Sequence, residues 1–437
     1  MADDILDALR GVVGPSNLLT GVDLSPYVLE GRTPLTAVFP GSIEEVSAVL
    51  TLANDASVPV TPWGGGTAIS VGVPPARSGI VLGLRRMSRL LEHEPGDLTA
   101  TVQAGMTMRD FQAALHARGQ WLSLDPPDPG AATIGGVLSA NASGARRHLY
   151  GTARDLLIGV TVVCAGGAIV RGGGKVVKNV AGYDLPKLFV GAFGSLGVIV
   201  EATVKLRPKP DVETLVAARF ESLKDCGLAV RAVMGSDLIP SAIDLLDGEA
   251  AAAIGLHGER PALVVGFDGL AEQVEWQRAE LARLCGEMGG DDLRDLPAET
   301  WARLSVAAPR ALTDPVAVMR LSVLPARVTE VIERAGATAR GLGLRAAFSA
   351  HAGVGSITGA LARGRDAVDA VVSTLRDWRD AARAGGGHAA VEAAPLAVKE
   401  LVSVWDQPGA AFRIMQRIKT QLDPKGILNP GRFVGGL

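Results

Sequence analysis

Thr61-Pro62-Trp63-Gly64-Gly65-Gly66-Thr67-Ala68-Ile69-Ser70 follows a β-like run, Val58 to Thr61, and reads as a loop. Three consecutive glycines can take φ > 0 and let the backbone approach a ligand with no Cβ in the way. Successive N–H groups in such a loop form a concavity for anionic oxygens, and Thr67 adds a hydroxyl donor. Those features describe a diphosphate cradle; a glycine-rich surface turn is the plain alternative. Two other phosphate motifs are excluded. A Walker loop ending at Gly174-Lys175 has Ile169 in place of its first glycine and Val176 after the lysine. The dinucleotide fingerprint G-x-G-x-x-G needs glycine at 69, which is Ile69.

Outward from the loop, the pattern is α/β. Residues 2–13 read as an amphipathic helix and Thr33 to Phe39 as a strand opening. Ser42, with Glu45 three residues on, makes a capping box for a helix over 43–55. Strands are expected at 80–84 and 99–104, then a helix over 108–119 leading to Trp121-Leu-Ser-Leu. A chain of 437 residues is too long for one ordinary core and suits two domains. No apolar run reaches the ~18–20 residues that span a bilayer. The acidic start Met1-Ala-Asp-Asp-Ile lacks the pattern of a signal peptide. The three cysteines, Cys164, Cys226 and Cys285, lie far apart with no C-x-x-C pair, so this chain alone builds no iron–sulfur or zinc site. A net charge of −3 gives no reason to expect nucleic acid. These features predict a cytoplasmic protein.

A second glycine-dense segment runs from Asp125 to Gly144. Its prolines, Pro127 among them, fix an extended approach. Thr133, Gly135, Gly136, Asn141, Ser143 and Gly144 then offer small side chains and close backbone. Small residues also permit tight helix–strand packing, yet two such segments suit two walls around one long ligand. A third segment, Gly172 to Val200, has the loop Lys178-Asn-Val-Ala-Gly-Tyr-Asp-Leu185, without a 2.0 or 3.6 period. Loops of that texture face ligands more often than cores. Lys205-Leu-Arg-Pro-Lys-Pro-Asp211 reads as a linker.

Taken together, Pro62–Thr67, Ala132–Gly136 with Asn141–Gly144, Tyr150–Asp155, Asn179–Asp184 and Gly194–Gly197 resemble the vanillyl-alcohol-oxidase (PCMH) type of FAD-binding flavoproteins. The branch is that of D-lactate dehydrogenase and glycolate oxidase, and Leu422–Phe433 resembles its closing signature. Within the branch the chain is most similar to the smaller FAD-binding subunit of bacterial glycolate oxidase. The resemblance implies an α+β fold of three parts. These are a two-subdomain FAD-binding unit over 1–210, an α/β cap on a largely antiparallel sheet over 211–395, and a C-terminal segment, 396–437, returning to the FAD domain. It implies that Pro62, Trp63, Gly64, Gly65, Gly66, Thr67 and Ala68 hold the diphosphate. Pro127, Thr133, Gly135, Gly136, Asn141, Ser143, Gly144, Gly197 and Ile199 would flank the FAD, and Asn429 would return near the flavin. Neither cofactor segment contains the His or Cys that covalent attachment needs, so the FAD is expected to be non-covalent.

Chemistry is expected on the cap. A 2-hydroxy acid needs a cation for its carboxylate and a base for its hydroxyl proton, with its α-hydrogen presented to the flavin. Arg320, in the strand-like Val318-Met-Arg-Leu-Ser, fits the carboxylate through its guanidinium fork, although the solvent side of an edge strand would also hold an arginine. His351 opens Ser349-Ala-His-Ala-Gly-Val-Gly-Ser-Ile-Thr358, where catalytic relatives carry H-A-G-D-G-N-x-H. Val354, Ser356 and Thr358 replace the acid, the asparagine and the second histidine. His388, in Gly386-Gly-His-Ala-Ala-Val-Glu392, resembles the glycine–histidine strand of the companion subunit. Two imidazoles make a thin metal site, so no metal is expected. Three readings stay open. The first is a flavin subunit acting on glycolate or D-lactate with a metal-bearing flavoprotein and an iron–sulfur subunit, peripheral to the inner membrane through those partners. The second is a self-sufficient metal-free dehydrogenase using Arg320, His351 and His388. The third is a non-catalytic flavin-binding assembly subunit.

Overall fold

The computed structural model describes residues 2–75, 77–175, 183–362 and 367–437. Of the expected ligand-facing loop at 178–185, residues 178–182 lie outside the described residues.

The N-terminal part begins with a four-stranded sheet in the order Leu18–Leu19, Thr36–Val38, Ile80–Gly83, Val60–Trp63. The last three strands are parallel. Parallel strands need a crossover connection, and the helix Ile43–Asp55 supplies the one between Thr36–Val38 and Val60–Trp63. Ser42 Oγ accepts from Glu45 N at 3.1 Å, and Glu45 Oε2 accepts from Gly41 N at 2.7 Å. Val46, Val49 and Leu50 face inward, against Ile5 and Leu9 of the helix Ala2–Val13. A five-stranded antiparallel sheet follows, ordered Leu90–Glu94, Thr99–Gln103, Val198–Lys205, Leu157–Val163, Ile169–Gly173. Both sheets bury their apolar side chains in one core.

The cap is an eight-stranded sheet, antiparallel throughout. Its order is Asp291–Leu296, Val212–Arg219, Ala262–Gly269, Ala242–Leu246, Ala346–His351, Ser356–Ala362, Pro315–Ser322, His388–Ala393. Four helices, Leu223–Met234, Ala271–Glu287, Val328–Gly341 and Ala367–Ala384, cover one face. Val230, Leu281, Val331 and Trp378 fill the core beneath them. Two of its strands carry weak sequence signals. Asp291-Asp-Leu-Arg-Asp-Leu296 is too polar to look like one, and its charges blunt a sheet edge. Ser356–Ala362 falls in a stretch that reads as a motif loop, but His351, the turn Ala352–Val354 and Ser356 form a tight hairpin.

The chain end returns to the first core. After the helix Phe412–Leu422, Ile427 and Leu428 are fully buried there. Val60 N donates to Ile427 O at 2.8 Å and Asn429 N to Val60 O at 2.9 Å, which extends the parallel sheet by a bridge. Buried Lys419 fixes this arrangement, donating to Asp423 Oδ2 at 2.6 Å, Ser195 O at 2.7 Å and Leu428 O at 2.9 Å. Arg146 rivets the cap to the first part. It donates to Asp268 at 2.9 Å and Glu213 at 3.1 Å, and its guanidinium lies 3.8 Å from the Trp301 ring centroid.

Candidate functional site

A cleft opens between the glycine loop and the middle glycine segment. Pro62 to Ala68 form one wall and Thr133, Gly135 and Gly136 another; Gly197, Ile199 and Asn429 close it. Thr133 caps the short helix Ile134–Ala140, its Oγ1 accepting from Gly136 N at 3.3 Å. The expected residues Pro127, Asn141, Ser143 and Gly144 do not border the cleft. Asn141 ends that helix in the left-handed conformation (φ 47°) and accepts from Arg154 N at 3.2 Å. Gly144 N donates to Asp125 Oδ1 at 3.1 Å. Ser143 Oγ is buried without a partner.

Of the three loop glycines only Gly66 takes positive φ, at 76°. Gly64 and Gly65 are needed for a different reason, which corrects the reading that all three exploit left-handed backbone. A Cβ on Gly65 would fall 1.7 Å from Ala131 O, and one on Gly64 2.3 Å from Thr133 Oγ1. The glycines bring the two walls together. Residues without a glycine signal also line the cleft: Phe193, Arg432 and Phe433. Asn429 donates through Nδ2 to Phe193 O at 2.7 Å, while its Oδ1, like Arg432 Nη1, is buried with no partner. Orphaned polar atoms at a cleft wall fit a polar ligand such as FAD. Among the described residues, no His, Cys or Tyr lines the cleft.

The cap face opposite the helices is polar. Directly paired residues share a face, so one row carries Asp244, His351, Ser356, Ser322 and His388, and the next carries Ser349, Thr358 and Arg320. His351 is buried, and its Nδ1 faces Asp244 Oδ1 at 2.9 Å. Arg320 Nε donates to Glu392 Oε1 at 2.5 Å, and Nη1 lies 3.4 Å from Ser356 Oγ. The Glu392 carboxylate holds the Arg320 guanidinium above its usual range. Arg320 and His351 therefore lie on the same face, two strands apart, the histidine buried and the arginine half-buried. His388 does not join them. It is exposed, three strand spacings from His351, or about 14 Å. The two imidazoles cannot share an ion, and no cluster of three metal-ligating His, Cys, Asp or Glu side chains occurs among the described residues.

The short helix Arg147–Tyr150 covers this face, packing on the strand Ala242–Leu246 and the turn Ala352–Val354. His148 sits on Gly353, where a Cβ would be 2.4 Å from its Nδ1. Burial lowers His148, and burial with the nearby Arg320 charge lowers Arg147. Burial pushes the neighbouring Asp125 up to about 6. The run Arg146-Arg147-His148 directly after a glycine segment is the signal for these residues; Asp244 has none.

Residues 34–173 match the model of an FAD binding domain and residues 209–433 that of the FAD linked oxidases' C-terminal domain. The chain is 30% identical to the glycolate oxidase subunit GlcD of Bacillus subtilis, covering 98% of this chain and 96% of that one. It is 32% identical to a D-lactate dehydrogenase of Archaeoglobus fulgidus, over 99% and 98%. Among solved structures, p-cresol methylhydroxylase with substrate bound superposes with a TM-score of 0.79 at 18% identity, covering 98% of this chain and 96% of that one. An alkyldihydroxyacetonephosphate synthase superposes at 0.77 and 19%, over 98% and 86%. At those identities the two structures establish the PCMH-type fold alone. The motifs, the cleft and the two matched domains agree: this chain belongs to the FAD-linked oxidase family, as an FAD-dependent oxidoreductase.

Proposed function

We propose that the chain oxidises a small 2-hydroxy acid, such as glycolate or D-lactate, to the 2-oxo acid, and works as the flavin subunit of a complex that passes electrons to an iron–sulfur partner. One observation carries the chemistry: Arg320 and an Asp244-held His351 lie on the same face of the cap. FAD, when bound, supplies the two-electron acceptor for the substrate's α-hydrogen.

The remaining work falls to the chain. Glu392 fixes Arg320 Nε and leaves its terminal nitrogens to take the carboxylate. Asp244 occupies His351 Nδ1, which leaves Nε2 to receive the hydroxyl proton. Ser349, Ser356 and Thr358, all buried, supply small polar contacts around a two- or three-carbon acid. The helix Arg147–Tyr150 excludes water from this face.

The partner reading is supported by the relative's status as an oxidase subunit and by this chain's cysteines. Cys164, Cys226 and Cys285 are all buried, and three cysteines cannot supply the four of an iron–sulfur cluster, so such a centre would come from a second protein. The test is purification of the tagged chain from its own cells under native conditions. A co-purifying cysteine-rich protein with iron–sulfur absorbance, reduced on addition of the 2-hydroxy acid, is expected. A chain that purifies alone and turns over fully with a dye acceptor would contradict the complex.

A further inference from the structure

The C-terminal stretch reaches the glycine loop through two cations. Lys399 Nζ donates to Ser70 O at 2.6 Å and Gly72 O at 2.9 Å. Arg432 Nη2 donates to Ile69 O at 2.5 Å and Val71 O at 2.8 Å. Four consecutive carbonyls behind the cradle are thereby engaged, which fixes the backbone that follows it.

The two cations differ in how their charge is met. Lys399 pairs with Glu30. Arg432 is just 7% exposed, and the one carboxylate acting on it, Glu30, is already in ion-pair contact with Lys399. Its Nη1 is buried and among the described residues has no hydrogen-bond partner, yet the residue borders the cofactor cleft. Burial pulls its guanidinium below the usual range, against the opposing pull of Glu30. A buried cation that shares its carboxylate with a lysine is costly unless a further counter-charge arrives.

We propose that Arg432 is the cation that meets the diphosphate of bound FAD, with Nη1 donating to it while Nη2 holds the glycine loop. The C-terminal segment is then a working part of the cradle. Arg432 couples loop position to cofactor charge. A guanidinium suits both tasks, because its donors point in fixed, separate directions.

The competing role is that of a loop pin alone, and R432Q separates the two. Glutamine keeps an amide donor, on a shorter side chain, but carries no charge, so the salt response is the readout that a loop pin alone would not move. Apo-protein titrated with FAD, followed by quenching of flavin fluorescence, gives the affinity, and a circular dichroism melt checks the fold. With wild-type folding, R432Q should bind FAD about 10- to 100-fold more weakly, the usual worth of a charge-assisted hydrogen bond. Its affinity should also respond less to added salt. R432K, which keeps the charge but loses the fork, should bind FAD more tightly than R432Q and keep the wild-type salt response. R432Q binding FAD as tightly as wild type would overturn the proposal. Should R432Q fail to fold, R432K decides, and a salt response lost in that folded, still charged variant would overturn it.

Discussion

Replacing Gly65 with alanine isolates the contact on which the cofactor cleft depends. The φ of Gly65 lies outside the left-handed region, so alanine meets no backbone penalty and only the new Cβ matters. On the observed backbone that atom falls 1.7 Å from Ala131 O, whereas ordinary contact begins at 3.4 Å. The two walls must part by the difference, 3.4 − 1.7 = 1.7 Å. Overpacking of this kind costs about 1–3 kcal/mol, and each kcal/mol lowers the melting temperature of a domain of this size by roughly 2–4 °C. Cofactor binding suffers more. The N–H groups of 64–68 draw back from anionic oxygens, and each charge-assisted hydrogen bond is worth about 1.5–3 kcal/mol. Losing two weakens FAD binding by about 10²- to 10⁴-fold. The assay is fluorescence titration of apo-protein with FAD, beside a thermal melt. Gly166→Ala, where a Cβ meets nothing within 4 Å, is the control. Wild-type affinity and melting temperature in Gly65→Ala would refute the argument.

Arg320→Lys should raise the KM for the 2-hydroxy acid about 10-fold or more, since an ammonium lacks the fork that holds a carboxylate bidentately; an unchanged KM returns Arg320 to a structural role with Glu392. Acid precipitation should release all the flavin into the supernatant, because among the described residues no His, Cys or Tyr lines the cleft; colour retained in the pellet contradicts this. Burial raises Asp247 to about 7, outweighing two backbone N–H donors, Ala250 N and Phe348 N, each at 2.8 Å. The folded protein thus holds a proton that the unfolded chain releases, and that contribution, fully present below the unfolded pKa, is lost as pH rises through about 7. The melting temperature of the wild type relative to Asp247→Asn should therefore fall between pH 5 and pH 8, and a constant difference would count against it.

Much of the fold is legible because its signals are local. Ser42 and Glu45 mark a helix start by their own hydrogen bonds, and the strand Ile80–Gly83 falls within the apolar run at 80–84. Glycine density marks the cleft, since close approach of two backbones leaves a trace in composition. What glycine density does not reveal is the partner: that Gly65 meets Ala131 follows only from the fold. The cap chemistry divides in the same way. Arg320 and His351 stand out as polar residues in strand-like runs. Asp244 lies far upstream and reaches His351 through antiparallel pairing. His388 looks equivalent to His351 in sequence, and the strand order alone separates them. Arg432 sits in a closing signature read for its asparagine, and its link to Ile69 and Val71 spans almost the whole chain.

Oxidation of a 2-hydroxy acid by the bound flavin is tested by anaerobic mixing of the FAD-loaded protein, purified natively with the partners it retains, with D-lactate or glycolate while visible flavin absorbance is followed. Bleaching by a 2-hydroxy acid, absent with the corresponding unhydroxylated acid and lost in Arg320→Met, is the predicted result. Absorbance that no 2-hydroxy acid changes, in protein whose flavin dithionite readily bleaches, would contradict it.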